Sequence, residues 1–169
     1  MRPPDLSAVR PGLGFIRIAA TRSDIALARL LFIEYARWLA VDLCFQGFDQ
    51  ELESLPGAYA PPQGRLLVAG HEGSAFACIA LRPLAAAGVG EVKRLYVQPD
   101  RRGEGWGRRL VDVVLAEARS IGYRELKLDT LDWMSAARAL YEKVGFAACE
   151  PYYVNPLPGV VYMSLRLAR

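Results

Sequence analysis

Apolar and polar residues alternate in two rhythms along this chain, and the change from one rhythm to the other marks its elements. Phe15 to Ala19 alternates as a strand, and Thr21 or Ser23 then offers an N-cap for a long apolar-rich helix through about Val41. Its expected core face carries Leu27, Leu30, Leu31, Ile33 and Trp38. Asp42 to Phe48 is too broken for regular structure, and Asp49 to Leu55 fits one short helix that Pro56 stops. Three strand-like runs follow at Arg65–Ala69, Ser74–Leu81 and Gly90–Val97, the first two joined by a turn over Gly70–Gly73. After Pro99 the period becomes helical: Leu110, Val113, Val114, Ala118 and Ile121 predict a helix from about Glu104 to Ser120, with Gly122 as its stop. Glu125–Thr130 alternates as a strand, and Ser135–Val144 as a helix with Ala137, Leu140, Tyr141 and Val144 on one side and Gly145 as its breaker. The last strands are expected near Ala147–Pro151 and Val160–Leu167.

From residue 90 onward the order is strand, loop, helix, strand. That crossover makes its two strands parallel and should be right-handed. The earlier strands suit an antiparallel meander, so a mixed α/β (α+β) sheet of about six to seven strands is expected, with helices on both faces. The 53% hydrophobic content supplies both core layers. No linker or shift of composition divides the chain, so one domain is expected over residues 15–169. Residues 1–14, with Pro3, Pro4, Pro11, Gly12 and Gly14, read as a flexible lead-in.

Charge narrows the function classes. A net charge of +3, with basic residues scattered apart from Lys93–Arg94, Arg101–Arg102 and Arg108–Arg109, predicts a local anion site and not a nucleic-acid surface. Cys44, Cys78 and Cys149 are odd in number and sit among apolar or small neighbours, which suits reduced core thiols and a cytoplasmic protein. No signal-like segment or membrane span is visible. His71 is the only histidine and falls in the expected turn, so neither a metal site nor a histidine-based nucleophile is expected.

Arg102-Gly103-Glu104-Gly105-Trp106-Gly107 lies between a strand and an amphipathic helix, where the first N–H groups lack partners within the helix. Such a loop either is a tight turn or holds an anion. Gly103 permits unusual backbone angles, and Gly105 and Gly107 remove side chains that would keep phosphates from those donors. Arg102 and Arg108 would add guanidinium donors. Gly103, Gly105 and Gly107 are spaced G-x-G-x-G and no Gly-Lys-Ser/Thr follows, so the dinucleotide and nucleotide-triphosphate fingerprints do not fit. The loop does fit Arg/Gln-x-x-Gly-x-Gly/Ala. Across VKRLYVQPDRRGEGWGRRL and then ARALYEKVGF, the chain resembles the GNAT superfamily of N-acetyltransferases, strongly over residues 89–147 and more weakly before.

That resemblance implies a GNAT-like acyl-CoA N-acyltransferase fold, acetyl-CoA as co-substrate and no metal. It places the pyrophosphate on residues Arg102, Gly103, Glu104, Gly105, Trp106, Gly107 and Arg108. The pantetheine arm would lie like an extra strand beside Leu95, Tyr96 and Val97, and the N–H of Leu95 could stabilise the oxyanion at the thioester carbonyl. An amine with a pKa near 10.4 is neutral at pH 7 in only about one molecule in 2500, so a base or a pKa-lowering site is needed. Glu91, on the same face as Val97 by simple alternation, is the candidate base, direct or through water. Tyr141 matches the position from which a phenol protonates the departing thiolate. Many relatives have Asn where this chain has Met134, so one polar contact to the cofactor should be missing or replaced.

The acceptor site implied by the resemblance draws on the first helices and last strands, with Glu34, Trp38, Phe45 and Tyr152 as candidates beside Tyr35, Asp42, Gln46, Tyr153 and Asn155. Carboxylates there favour a cationic amine and nearby arginines an acidic one, so the residues do not rank them. The expected activity is acetyl transfer to a primary amine of a small molecule or peptide. A non-catalytic acyl-CoA-binding regulatory domain is the alternative, and a homodimer is left open.

Overall fold

The structure, a computed structural model, describes residues 14–168. All of the expected lead-in except Gly14 lies outside them. Within the described residues seven strands form one sheet: β1 (Phe15–Ile18), β2 (Arg65–Gly70), β3 (Ala77–Pro83), β4 (Val89–Val97), β5 (Glu125–Leu131), β6 (Ala147–Ala148) and β7 (Val160–Arg166). They lie in the order β1-β2-β3-β4-β5-β7-β6, and among these pairs only β4 and β5 are parallel. The expected mixed sheet is therefore present. Among the described residues four α-helices cover it: α1 (Arg22–Leu39), α2 (Phe48–Ser54), α3 (Trp106–Ile121) and α4 (Ser135–Val144). No helix among the described residues is long and apolar enough to cross a membrane.

Strand alternation sorts the core into two layers. Leu67, Ala69, Ile79 and Leu81 pack with Leu110, Val114 and Ala118 of α3, while Leu66, Val68, Cys78 and Ala80 pack with Ala28, Leu31 and Phe32 of α1. Thr21 caps α1 by accepting the N–H of Asp24 at 3.1 Å. The buried face of α1 is nevertheless not the expected one. Ala28, Leu31, Phe32 and Leu39 are buried, whereas Leu30 is 58% and Trp38 36% exposed. Apolar residues surround this helix on nearly every side, and contact with the sheet selected the stripe that pairs small Ala28 with Phe32. Nor are all the cysteines core thiols: Cys78 is buried, but Cys44 is exposed on a short 3-10 turn, Cys44–Gln46, within the segment expected to be irregular.

One irregularity organises the rest. On the β3–β4 ladder Cys78 faces Tyr96 and Ala80 faces Lys93, so Arg94 and Leu95 oppose Ile79 alone. This is a β-bulge, and Arg94 sits in the left-handed region at φ 60°. The extra residue inverts alternation: Val92 joins the α3 layer, yet Tyr96, four residues on, joins the α1 layer.

Candidate active site

β4 and β5 pair only at Val89–Glu125, Gly90–Leu126 and Glu91–Lys127. Beyond these rungs both strands continue, β4 to Val97 and β5 to Leu131, but they no longer pair with each other. A cleft of about 480 Å³ opens there, lined by Leu95, Tyr96 and Val97 on one bank, Met134, Ala137 and Leu140 on the other, and the glycine loop at its end. Strand edges that diverge leave backbone donors and acceptors facing the gap, which suits an extended ligand carrying amides.

The loop is built to present main-chain amides. Gly103 and Gly105 take φ 82° and 84°, a region where a Cβ is strained even though there is open space around both positions. Gly105 is the N-cap of α3 and gives no side-chain cap, and the first turn-to-helix bond is Arg109 N–H to Gly105 C=O at 3.1 Å. Among the described residues the N–H groups of residues 103–108 have no acceptor. Trp106 anchors the loop: it is 4% exposed, stands edge-on to Phe76 at 4.8 Å, and donates its indole N–H to Glu104 at 3.0 Å.

The arginines divide their work differently from expectation. Arg108 is tied along the exposed helix surface to Asp112 at 2.9 Å. Arg102 donates Nε–H to the carbonyl of Val97 at 2.9 Å, and its guanidinium carbon lies 4.5 Å from the Trp38 ring centroid. Arg101, adjacent in sequence, also lines the cleft and reaches Glu104 at 3.4 Å. Trp38 and Trp133, 5.5 Å apart between centroids, face each other at the cleft from α1 and from the β5–α4 turn. At Met134 no amide side chain is present; its sulfur accepts the Thr130 hydroxyl at 3.6 Å.

Behind the cleft lies a narrow chamber of about 50 Å³, room for about three waters at the ~15 Å³ each requires. Leu95 and Met134 border both spaces. Tyr141 packs in the α3–α4 layer, edge-on to Phe146 at 5.7 Å, but passes between the splayed strands to line this chamber beside Tyr35, Lys93 and Asp129. Among the described residues its hydroxyl has no hydrogen-bond partner, and burial pushes its phenol well above the usual tyrosine range. Burial likewise raises Tyr35 to about 12.

Glu91 is placed otherwise than alternation suggested. The bulge lies between it and Val97, so the two residues face opposite sides of the sheet: Val97 packs in the α3 layer and Glu91 does not. Glu91 is fully buried, accepts Arg82 Nε–H at 2.6 Å and the Tyr152 hydroxyl at 2.8 Å, and lies 3.6 Å from Lys93. It lines neither the cleft nor the chamber. Asp129, absent from the sequence candidates, does line the chamber. Its Oδ2 accepts Tyr153 at 2.7 Å and Asn155 at 2.9 Å, while among the described residues Oδ1 has only the Lys93 ammonium at 3.8 Å. Burial lowers the pKa of Lys93 despite these carboxylates. The only sequence signal for Asp129 was its place on the polar face of the alternating run at Glu125–Leu131.

The acceptor candidates scatter. Trp38 borders the cleft, Glu34 accepts the Gln98 amide at 2.9 Å, Tyr152 is bound to Glu91, and Phe45 is exposed outside the cavities. Among the described residues no group of three metal-ligating side chains occurs.

Comparison with known proteins agrees with this geometry. The profile of the Acetyltransferase (GNAT) family matches residues 32–146. An uncharacterized N-acetyltransferase of Schizosaccharomyces pombe is 41% identical over 91% of this chain and 96% of its own length. In fold, a GNAT-family acetyltransferase of Staphylococcus aureus superposes with a TM-score of 0.74 at 19% identity, over 90% of this chain and 99% of that one. A Salmonella typhimurium protein solved with acetyl-CoA as its cofactor superposes with a TM-score of 0.67 at 21% identity, over 92% and 94% of the two chains. Family profile and full-length relative thus converge on one assignment: this chain belongs to the Acetyltransferase (GNAT) family and is an acyl-CoA-dependent N-acetyltransferase.

Proposed function

We propose that this protein, through a single domain over residues 15–169, moves an acetyl group from acetyl-CoA directly to the primary amine of a small molecule or peptide. The observation that carries this reading is the splay of β4 from β5 beyond Glu91 and Lys127, which opens a cleft ending at the unpaired amides of residues 103–108. The residues fit acetyl-CoA: the amides and Arg101 suit a pyrophosphate, and the free edge of Leu95–Val97 suits pantetheine amides. Acetyl-CoA supplies the acetyl group already activated as a thioester.

The chain's own residues account for the remaining requirements. Tyr141 lines the chamber with a hydroxyl that has no partner among the described residues, and it stays protonated until the leaving sulfur takes its proton. Asp129 lines the chamber and is the carboxylate that holds the acceptor's ammonium and takes its proton, its Oδ1 having among the described residues only the Lys93 ammonium at 3.8 Å. Glu91 acts through Lys93 and Tyr152, which it holds in place. Trp38 and Trp133 shield the cleft from water.

Thermal shift with acetyl-CoA, followed by thiol release over a panel of amines, amino acids and peptide N-termini, tests this reading. Stabilisation together with acceptor-dependent release is expected. Stabilisation without release from any acceptor would leave an acyl-CoA-binding domain in its place.

A further inference from the structure

Beyond the chamber lies a second pocket of about 210 Å³, lined by residues including Gln50, Glu51, Ser54, Tyr59 and Arg82. Gln46 borders both spaces. The orientation of its amide follows from proton counting. Tyr153 has one phenolic proton and gives it to Asp129 Oδ2 at 2.7 Å, so its oxygen can only accept from Gln46 at 3.2 Å and Asn155 at 3.0 Å. Gln46 therefore turns Nε2 toward Tyr153, and among the described residues its Oε1 is left buried with no donor. An unmatched buried acceptor is costly unless something supplies an N–H or O–H. Asp129 borders the same chamber, and its Oδ1 is equally short of donors, having among the described residues only Lys93 at 3.8 Å.

The second pocket has the opposite character. Glu51 is saturated there, by Arg94 at 2.7 and 3.0 Å and by the Tyr59 hydroxyl at 2.7 Å. Arg82 is not: Nε is bound to Glu91, but among the described residues its Nη groups have no acceptor, and the side chain is 34% exposed. The hydrogen-bonding capacity left over is that of a guanidinium, which matches a carboxylate. The two spaces together fall short of the ~300 Å³ at which pockets for drug-sized ligands begin.

We infer that the acceptor is a small amino acid, a primary amine with a carboxylate a few bonds away, whose amine faces Gln46 Oε1 and Asp129 while its carboxylate rests on Arg82. This rests on the acetyl-transfer reading: the amide C–N bond forms as the thioester C–S bond breaks, with one amine proton ending on sulfur. Gln46 and Arg82 select the acceptor and take no part in that exchange.

The test is thiol release from acetyl-CoA with L-alanine, L-leucine and L-glutamate, each against its α-amide. The amide's amine is the less basic, so amine availability runs against the expected preference. At least one of the three acids should exceed its amide tenfold in kcat/KM, Arg82→Gln should bring that ratio within twofold, and Arg82→Lys should retain part of it. Gln46→Leu should raise KM for acid and amide alike, leaving their ratio unchanged and the melting temperature no lower. Equal use of acids and amides by the parent, or a ratio unaffected by Arg82→Gln, overturns this inference alone. No thermal shift with acetyl-CoA and no release with any compound overturns the acetyl-transfer reading, and the inference with it.

Discussion

Lys93 and Arg94, consecutive on β4, send their side chains to the same side of the sheet: Lys93 lies 3.6 Å from Glu91, and Arg94 reaches Glu51 of α2 at 2.7 Å. Only the bulge allows this, because strict alternation would place neighbours on opposite faces. The same kink carries Leu95 to the border of both cavities, so a backbone irregularity joins the cleft to the chamber.

The Arg94–Glu51 pair should dominate stability near the site. Arg94→Met leaves a carboxylate buried without its partner, and a loss of about 3–5 kcal/mol is expected in urea unfolding at pH 7. Its pH dependence should also change sign. Burial pushes Glu51 up, but Arg94 outweighs it and holds the carboxyl below its usual 4.5. In the parent this stability is present above pH 4.5 and is lost as pH falls through the lower folded value. In Arg94→Met burial, the largest influence, is opposed mainly by the Tyr59 hydroxyl and by Lys93, so the Glu51 contribution should improve on acidification. Parallel stability–pH curves for parent and variant would count against the pair.

Tyr141→Phe should lower kcat about 100-fold while changing acetyl-CoA affinity less than twofold, because only the hydroxyl facing the chamber is removed. Steady-state kinetics with titration of acetyl-CoA separates the two effects. An unchanged kcat would remove Tyr141 as the acid.

Gly105→Ala should weaken acetyl-CoA binding about tenfold. A Cβ at φ 84° costs about 1–2 kcal/mol if the backbone is kept, and turning the backbone away misdirects the amides that open α3. Calorimetric titration measures the affinity, and a normal value would show that those amides do not hold the phosphates.

The two carboxylates should separate by their pH–rate profiles. Asp129→Asn is expected to lower kcat/KM at least tenfold and shift its alkaline rise upward, since the amine must then lose its proton without help. Glu91→Gln should chiefly alter stability and leave the profile's shape unchanged. The reverse result would return the base to Glu91.

Much of this molecule was legible along the chain. Helix α4 has the bounds that its apolar spacing predicted, and β2, β4, β5 and α3 agree to within two residues, because their patterns are periodic and, β5 excepted, stop within two residues of a glycine or proline. The glycine loop was visible because left-handed turns demand glycine locally. Three features were not. The buried stripe of α1 depended on which side met the sheet, the bulge at Arg94 depended on register with β3, and the placing of Asp129, Gln46 and Arg82 depended on both. Local conformational preference is written residue by residue, so the sequence itself determined the elements, their order and the glycine turn that opens α3. Which side chains share a cavity depends on partners distant in sequence: Gln46 with Tyr153, Arg94 with Glu51, Lys93 with Asp129. Only tertiary packing decides those encounters, because a one-residue shift in strand register exchanges the two faces of the sheet.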